Sequence, residues 1–148
     1  MSDQINLFTI GFTQKSAQKF FDTLKESGIK TVIDTRLNNI SQLAGFTKKR
    51  DLEYFLKTIS NIDYVHLLDL APTKDILDEY KKKKRDWETY EQKFLQLIAD
   101  RQIEKKVSPD LMDGACLLCS EAKPHLCHRR LVAEYLNGKW GNISICHL

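Results

Sequence analysis

Two of the four cysteines and two of the four histidines fall between positions 119 and 128. The segment reads Cys119-Ser120-Glu121, then Cys127-His128-Arg129-Arg130. A thiolate is a nucleophile or a soft metal ligand. An imidazole or a carboxylate can move a proton. A guanidinium grips phosphate or carboxylate with two parallel hydrogen bonds. Cys119 or Cys127 is thus the candidate nucleophile, Glu121 and His128 the acid–base groups, and Arg129 an anion holder. Backbone N–H groups at a helix start near Cys127 would favour an anion and lower a nearby thiol's pKa. A cysteine-phosphatase loop is absent: His125 stands where the arginine would have to be. The plain alternative is that both cysteines are small buried hydrophobes.

The same residues raise the question of a metal. Cys116 and Cys119 form a Cys-x-x-Cys, and Cys127-His128 adds a second pair. If 116–119 is a strand, its two cysteines face opposite sides of the sheet. Adjacent ligands on a helix also diverge. A four-ligand structural zinc site is therefore not expected, and no metal ligand or cofactor is assigned. A set drawn from Cys119, Cys127, Glu121 and a histidine of another element is more open.

Asp34 and Arg36 sit two apart in a predicted strand and so share a face. They could orient a ligand hydroxyl and an anionic group, or form an ion pair that pins the next loop. Thr9 and Gly11 lie where a first strand turns into a helix. That turn could offer N–H groups to a phosphate, but a tight structural turn is the simpler reading, since no glycine-rich fingerprint is present. His66 reads as a hydrogen-bonded strand histidine. His147 lies beside the chain end. The run Lys81-Lys82-Lys83-Lys84-Arg85, followed by Trp87 and Tyr90, could hold nucleic-acid phosphate. It is as readily a solvated helix end, with the aromatics in the core.

The elements that must position these groups follow from apolar periodicity. Strands are predicted at 6–10, 31–36, 63–68, 114–119 and 142–148. Helices are predicted at 15–27 and 48–60, after Thr73, after Asp86, and from Pro124 to Leu136 with Asn137-Gly138 closing the last. Ser108-Pro109-Asp110 signals a turn. The 37–46 loop is longer than a connector needs. Alternation of strands and helices predicts an α/β fold: a three-layer, Rossmann-like sandwich with a mainly parallel sheet, about five strands flanked by helices. One domain over 1–148 is the simplest organisation. In such a sheet, ligands bind beyond the carboxyl ends of the strands. The polar groups above collect at that end of successive predicted strands.

With these blocks in place, Thr9-Ile10-Gly11, Asp34-Thr35-Arg36, Leu117-Leu118-Cys119-Ser120-Glu121 and Cys127-His128-Arg129 together resemble the family known as domain of unknown function 488. The resemblance runs along nearly the whole chain. It implies a compact α/β fold and a site around the cysteine block, with interest in His147. It implies no settled reaction. The family usually shows a histidine after Thr-Ile-Gly; Phe12 holds that place here.

Composition narrows the rest. Apolar residues make up 42% and charged residues 29%, which disfavours a disordered or membrane chain. Lys and Arg number 23 against 20 Asp and Glu, a net +3 that demands no nucleic-acid partner. The start lacks a signal-peptide pattern, and four cysteines do not read as a disulfide framework. The expectation is a soluble cytoplasmic protein with free thiols. Its strand-end cleft takes an anionic, phosphate-bearing or nucleotide-like small molecule held by Arg36 and Arg129. The reaction is open and the reading leans towards an enzyme. A nucleic-acid module using Lys81–Arg85, or a Cys/His metal site, is the alternative.

Overall fold

A computed structural model describes residues 4–38, 45–82, 86–120 and 126–148. Its centre is β4 (Ala115–Cys119), an uninterrupted apolar run whose five residues are all buried. A strand apolar on every side chain needs cover on both faces, and the rest of the chain supplies it. β1 (Ile5–Gly11) and β2 (Thr31–Asp34) flank β4. β3 (Asp63–His66) and β5 (Ile143–His147) close the two edges. The order is β3-β2-β4-β1-β5, with every pairing parallel.

Side-chain alternation sends successive residues to opposite layers. Ile10, Val32, Cys116 and Leu118 meet Phe20, Phe21 and Leu24 of α1 (Ala17–Glu26) and Leu52 and Leu56 of α2 (Lys49–Ser60). Leu7, Ile33, Ala115 and Leu117 meet the other layer. That layer is built from α3 (Lys74–Lys82), α4 (Trp87–Arg101) and α7 (His128–Trp140), with two single-turn helices between the last two, α5 (Ile103–Lys106) and α6 (Pro109–Met112). This is the expected three-layer α/β arrangement, with a sheet that is parallel throughout the described residues. Among those residues no helix is long and apolar enough to cross a membrane.

Several helix ends follow their sequence signals. Asp86 caps α4 by accepting from the Thr89 N–H, and Ser16 caps α1 through Lys19. Three details differ from expectation. Ser108-Pro109-Asp110 opens a one-turn helix instead of a plain turn: Ser108 caps it and Pro109 sits in its first turn, where the missing N–H costs nothing. The last helix starts at His128 rather than Pro124, with Cys127 in extended conformation as its cap residue. Asn137-Gly138 does not end it. The helix continues to Trp140, which packs on the core with Tyr135, and stops at Gly141 in the left-handed region (φ 78°). A mid-helix glycine costs only about 1 kcal/mol, which that packing offsets. Asn137 instead accepts from the Ile143 N–H at 3.0 Å and so steers the chain into β5.

The sheet's centre-to-edge gradient is testable. Leu117→Ala, at the buried centre, should cost about 2–5 kcal/mol. Ile145→Ala, on a half-buried edge position, should cost less than half of that. Urea unfolding of both variants checks the order.

Candidate functional site

The strand carboxyl ends open onto a cleft of about 350 Å³. Its inner end is formed by Arg36, just past β2, by Cys119 and Ser120 at the end of β4, and by Cys127 and His128 at the start of α7. Its outer wall is Leu77, Tyr80 and Lys81 of α3 with Trp87 and Tyr90 of α4. One end is thus cationic and sulfur-bearing, the other aromatic.

Arg36 reaches the cleft as a fixed object. Its Nε and Nη2 each donate to a different Asp34 carboxylate oxygen at 2.8 Å, and its backbone N–H donates to the same group at 3.1 Å. Nη2 also donates to the Thr47 carbonyl at 2.6 Å. The guanidinium lies 5.4 Å over the Phe12 ring. Phe12 therefore floors the arginine at the position where the resemblance suggested a histidine. Arg36 is 4% exposed, and its Nη1 is buried with no hydrogen-bond partner. His66 donates from Nε2 to the Arg36 carbonyl at 2.7 Å, the structural role expected of it.

Asp34 is fully buried and also accepts from the Tyr64 hydroxyl at 2.6 Å. Burial alone would raise its pKa. The hydrogen bonds and charge of Arg36, aided by Tyr64, outweigh burial and hold the carboxyl below its usual range. Asp34 does not line the cleft. Its oxygens are engaged by protein donors, so the ion pair with Arg36 that its spacing offered as the alternative is formed.

The sulfur end departs further from expectation. Cys119 and Cys127 are bonded to each other, although the cysteines were expected to be unpaired. They meet because Cys127 precedes α7 in extended conformation, which turns its side chain back towards the end of β4. For the same reason Cys127 and His128 do not diverge as two helical neighbours would. Both sulfurs and a ring nitrogen of His128 lie within 4.8 Å of one another. Cys116 does face the opposite layer, as its spacing required, and burial pushes its thiol up. Cys146 is exposed.

His128 is tightly placed. Its Nε2 lies 2.8 Å from the Thr35 carbonyl, which can only accept, so Nε2 carries the proton and Nδ1 the lone pair. The Thr35 hydroxyl, 3.0 Å from the same nitrogen, donates in turn to the Leu118 carbonyl. Phe94 packs edge-on against the ring at 5.3 Å. Burial, with help from the Arg129 charge, lowers the His128 pKa to about 4, so the imidazole is neutral near pH 7.

Arg129 is fully buried and donates from Nη1 to the Cys119 sulfur at 3.0 Å. It stands behind the sulfur and is not among the residues of the cleft wall, whereas Arg36 is. Its field is felt nearby: it adds to burial in lowering the pKa of Lys15 and of His147.

The remaining candidates are distributed elsewhere. Gly11 pairs with Cys119 in the sheet, and Thr13 donates through its N–H and hydroxyl to the Ser120 carbonyl, so this turn ties two strand ends together. Thr9 is buried, with its hydroxyl 2.6 Å from Nδ1 of His147. Neither Thr9 nor His147 lines the cleft. Glu121 lies outside the described residues, as do 39–44 of the long loop and Lys83–Arg85 of the basic run. Lys81 and Lys82 end α3, and Lys81 stands at the cleft wall. Sequence reasoning assigned no site role to Tyr64, Thr35 or Tyr80, and considered Trp87 and Tyr90 only beside the basic run. The helical spacing of Trp87, Tyr90 and Phe94 pointed to the core instead of to a cleft wall.

The fold and cleft define a three-layer α/β protein with a strand-end site. The chain belongs to the family described as Domain of unknown function DUF488, whose model matches residues 16–136. No curated protein and no solved structure matches it.

Removing the Asp34 charge would leave Arg36 buried and uncompensated. Asp34→Asn should therefore cost about 3–5 kcal/mol at pH 7. Because the folded-state pKa is depressed, the carboxylate's contribution is complete above the unfolded value of about 3.9 and is lost as pH falls through the folded value. The stability gap between wild type and Asp34→Asn should thus close in acid. Urea midpoints from pH 7 down to pH 3 measure it.

Proposed function

We propose that the cleft binds a small anionic, phosphate-bearing ligand of nucleotide-like shape, and that the sulfur end is its reactive end. The observation that carries this reading is Arg36 Nη1: a cationic donor, buried, without a protein acceptor, on a side chain that lines the cleft. A buried donor without a partner is costly, and an anion in the cleft would satisfy it. The start of α7 adds to the attraction, since its first N–H groups have no intrahelical acceptor and Cys127 makes no side-chain cap. Lys81 adds charge at the outer wall.

The aromatic end suits a flat group. Trp87 and Tyr90 stack at 4.9 Å with 20° between their planes, and Tyr80 packs 5.0 Å from Tyr90. A base or similar ring could extend that stack while its phosphate meets Arg36. In the reduced chain, Arg129 would favour the Cys119 thiolate and neutral His128 could accept a proton beside it. These features support an enzyme with the reaction unassigned.

The test is Trp87 fluorescence with adenosine monophosphate, inorganic pyrophosphate and adenosine as probes. Wild type should respond to the phosphate-bearing probes, and Trp87→Phe should abolish the signal. Arg36→Gln should weaken binding about tenfold or more while adenosine, already weak, is unchanged. No response to any phosphate-bearing probe at millimolar concentration would refute the reading. So would equal binding by folded Arg36→Gln.

A further inference from the structure

We propose that, once the Cys119–Cys127 bond is reduced, Cys119, Cys127 and His128 hold one Zn²⁺ ion at the inner end of the cleft, leaving a coordination position open to it. Two sulfurs and an imidazole are a proper donor set for zinc, and three protein ligands with one open position mark catalytic rather than structural zinc sites. The three donor groups already lie within 4.8 Å of one another, and all three line the cleft.

The backbone spacing suits sulfurs that stand apart. The two Cα atoms are 7.5 Å apart, more than the roughly 4.4–6.8 Å that disulfides usually span. Thiolates sharing a tetrahedral zinc stand about 3.8 Å apart, given Zn–S bonds of about 2.3 Å. The sulfurs can therefore part around an ion without the strand and helix closing up. The surrounding groups have the character of a metal's outer partners. A histidine ligand commonly gives its other ring proton to a carbonyl; here Nε2–H goes to Thr35, which leaves Nδ1 as the ligating atom. Arg129 donates to the Cys119 sulfur and so balances thiolate charge.

The chemistry balances in two steps. A dithiol reductant supplies two electrons and two protons, breaks the S–S bond, and leaves as its own disulfide. Zinc then displaces the two thiol protons and forms two Zn–S bonds. Thiolates bound in this way are ligands, so a filled site replaces the free Cys119 nucleophile by a Lewis acid next to Arg36. The inference does not rest on the ligand reading, and its test reads the metal alone.

Full-length protein is reduced with dithiothreitol, desalted without oxygen, and titrated with Co²⁺ as a coloured substitute for zinc. One equivalent should produce thiolate-to-cobalt charge-transfer and tetrahedral d–d bands, and zinc should erase them. The oxidised chain should give none; this comparison needs no substitution. Zn²⁺ should also raise the melting temperature of the reduced chain and leave that of the oxidised chain unmoved. Cys119→Ser and Cys127→Ser should each reduce the charge-transfer band, and His128→Ala should weaken binding about tenfold or more. Cys116→Ser and Cys146→Ser should match wild type. Absence of bands in the reduced chain would overturn the proposal, as would bands that survive loss of both Cys119 and Cys127. Bands that vanish with Cys146→Ser would also overturn it, by locating the metal at the exposed thiol.

Discussion

A guanidinium cannot shed its charge, so a buried arginine must be met by an acceptor. Arg36 is met by Asp34, and much of the site follows from that pairing. The carboxylate comes from the last residue of β2, and the Thr47 carbonyl and Tyr64 hydroxyl are drawn to the same point from two other segments. The pair therefore ties the end of β2, the turn before α2, and β3 into one unit. It also sets the direction of the arginine fork, with Nε and Nη2 held by protein acceptors and Nη1 buried without a hydrogen-bond partner.

The inner end of the cleft is assembled by a different device. β4, at the middle of the sheet, delivers Cys119 to the strand-end surface, and α7 returns the chain over it with Cys127, His128 and Arg129 in succession. Each of those three takes a different position. The cysteine, still extended, meets its partner. The histidine, in the first turn, is fixed by Thr35. The arginine turns inward behind the sulfur. Three adjacent residues can converge on one atom here because the helix begins between the first and the second.

This boundary explains what the sequence could and could not tell. Strand and helix positions were legible because their apolar periods are strong: Phe20, Phe21 and Leu24 of α1 and the unbroken run of β4 each admit one reading. The strand-end rule pointed to the end of the sheet where a cleft lies, lined by Arg36, Cys119, Cys127 and His128. Roles were harder. Spacing alone could not show that Asp34 would be consumed by Arg36, or that Arg129 would stand behind Cys119 rather than before the ligand. Those outcomes depend on the depth of each side chain relative to the sheet surface. Nor could it foresee the paired sulfurs. Four cysteines did not read as a disulfide framework, and placing Cys127 and His128 together inside a helix begun at Pro124 made their side chains diverge, whereas the helix begins only at His128.

The protonation states at the inner end lead to one more consequence. Arg36 and its hydrogen bonds hold the Asp34 carboxyl below its usual range, and burial keeps His128 neutral near pH 7. Among these described groups, nothing but the Cys119–Cys127 pair can alter its charge under mild conditions, and while its bond is closed that pair carries none. While the sulfur bond is closed, Asp34 and His128 therefore keep their charge states near pH 7. Opening the sulfur bond with two electrons and two protons would give two thiols, and only their ionisation would place negative charge beside Arg129.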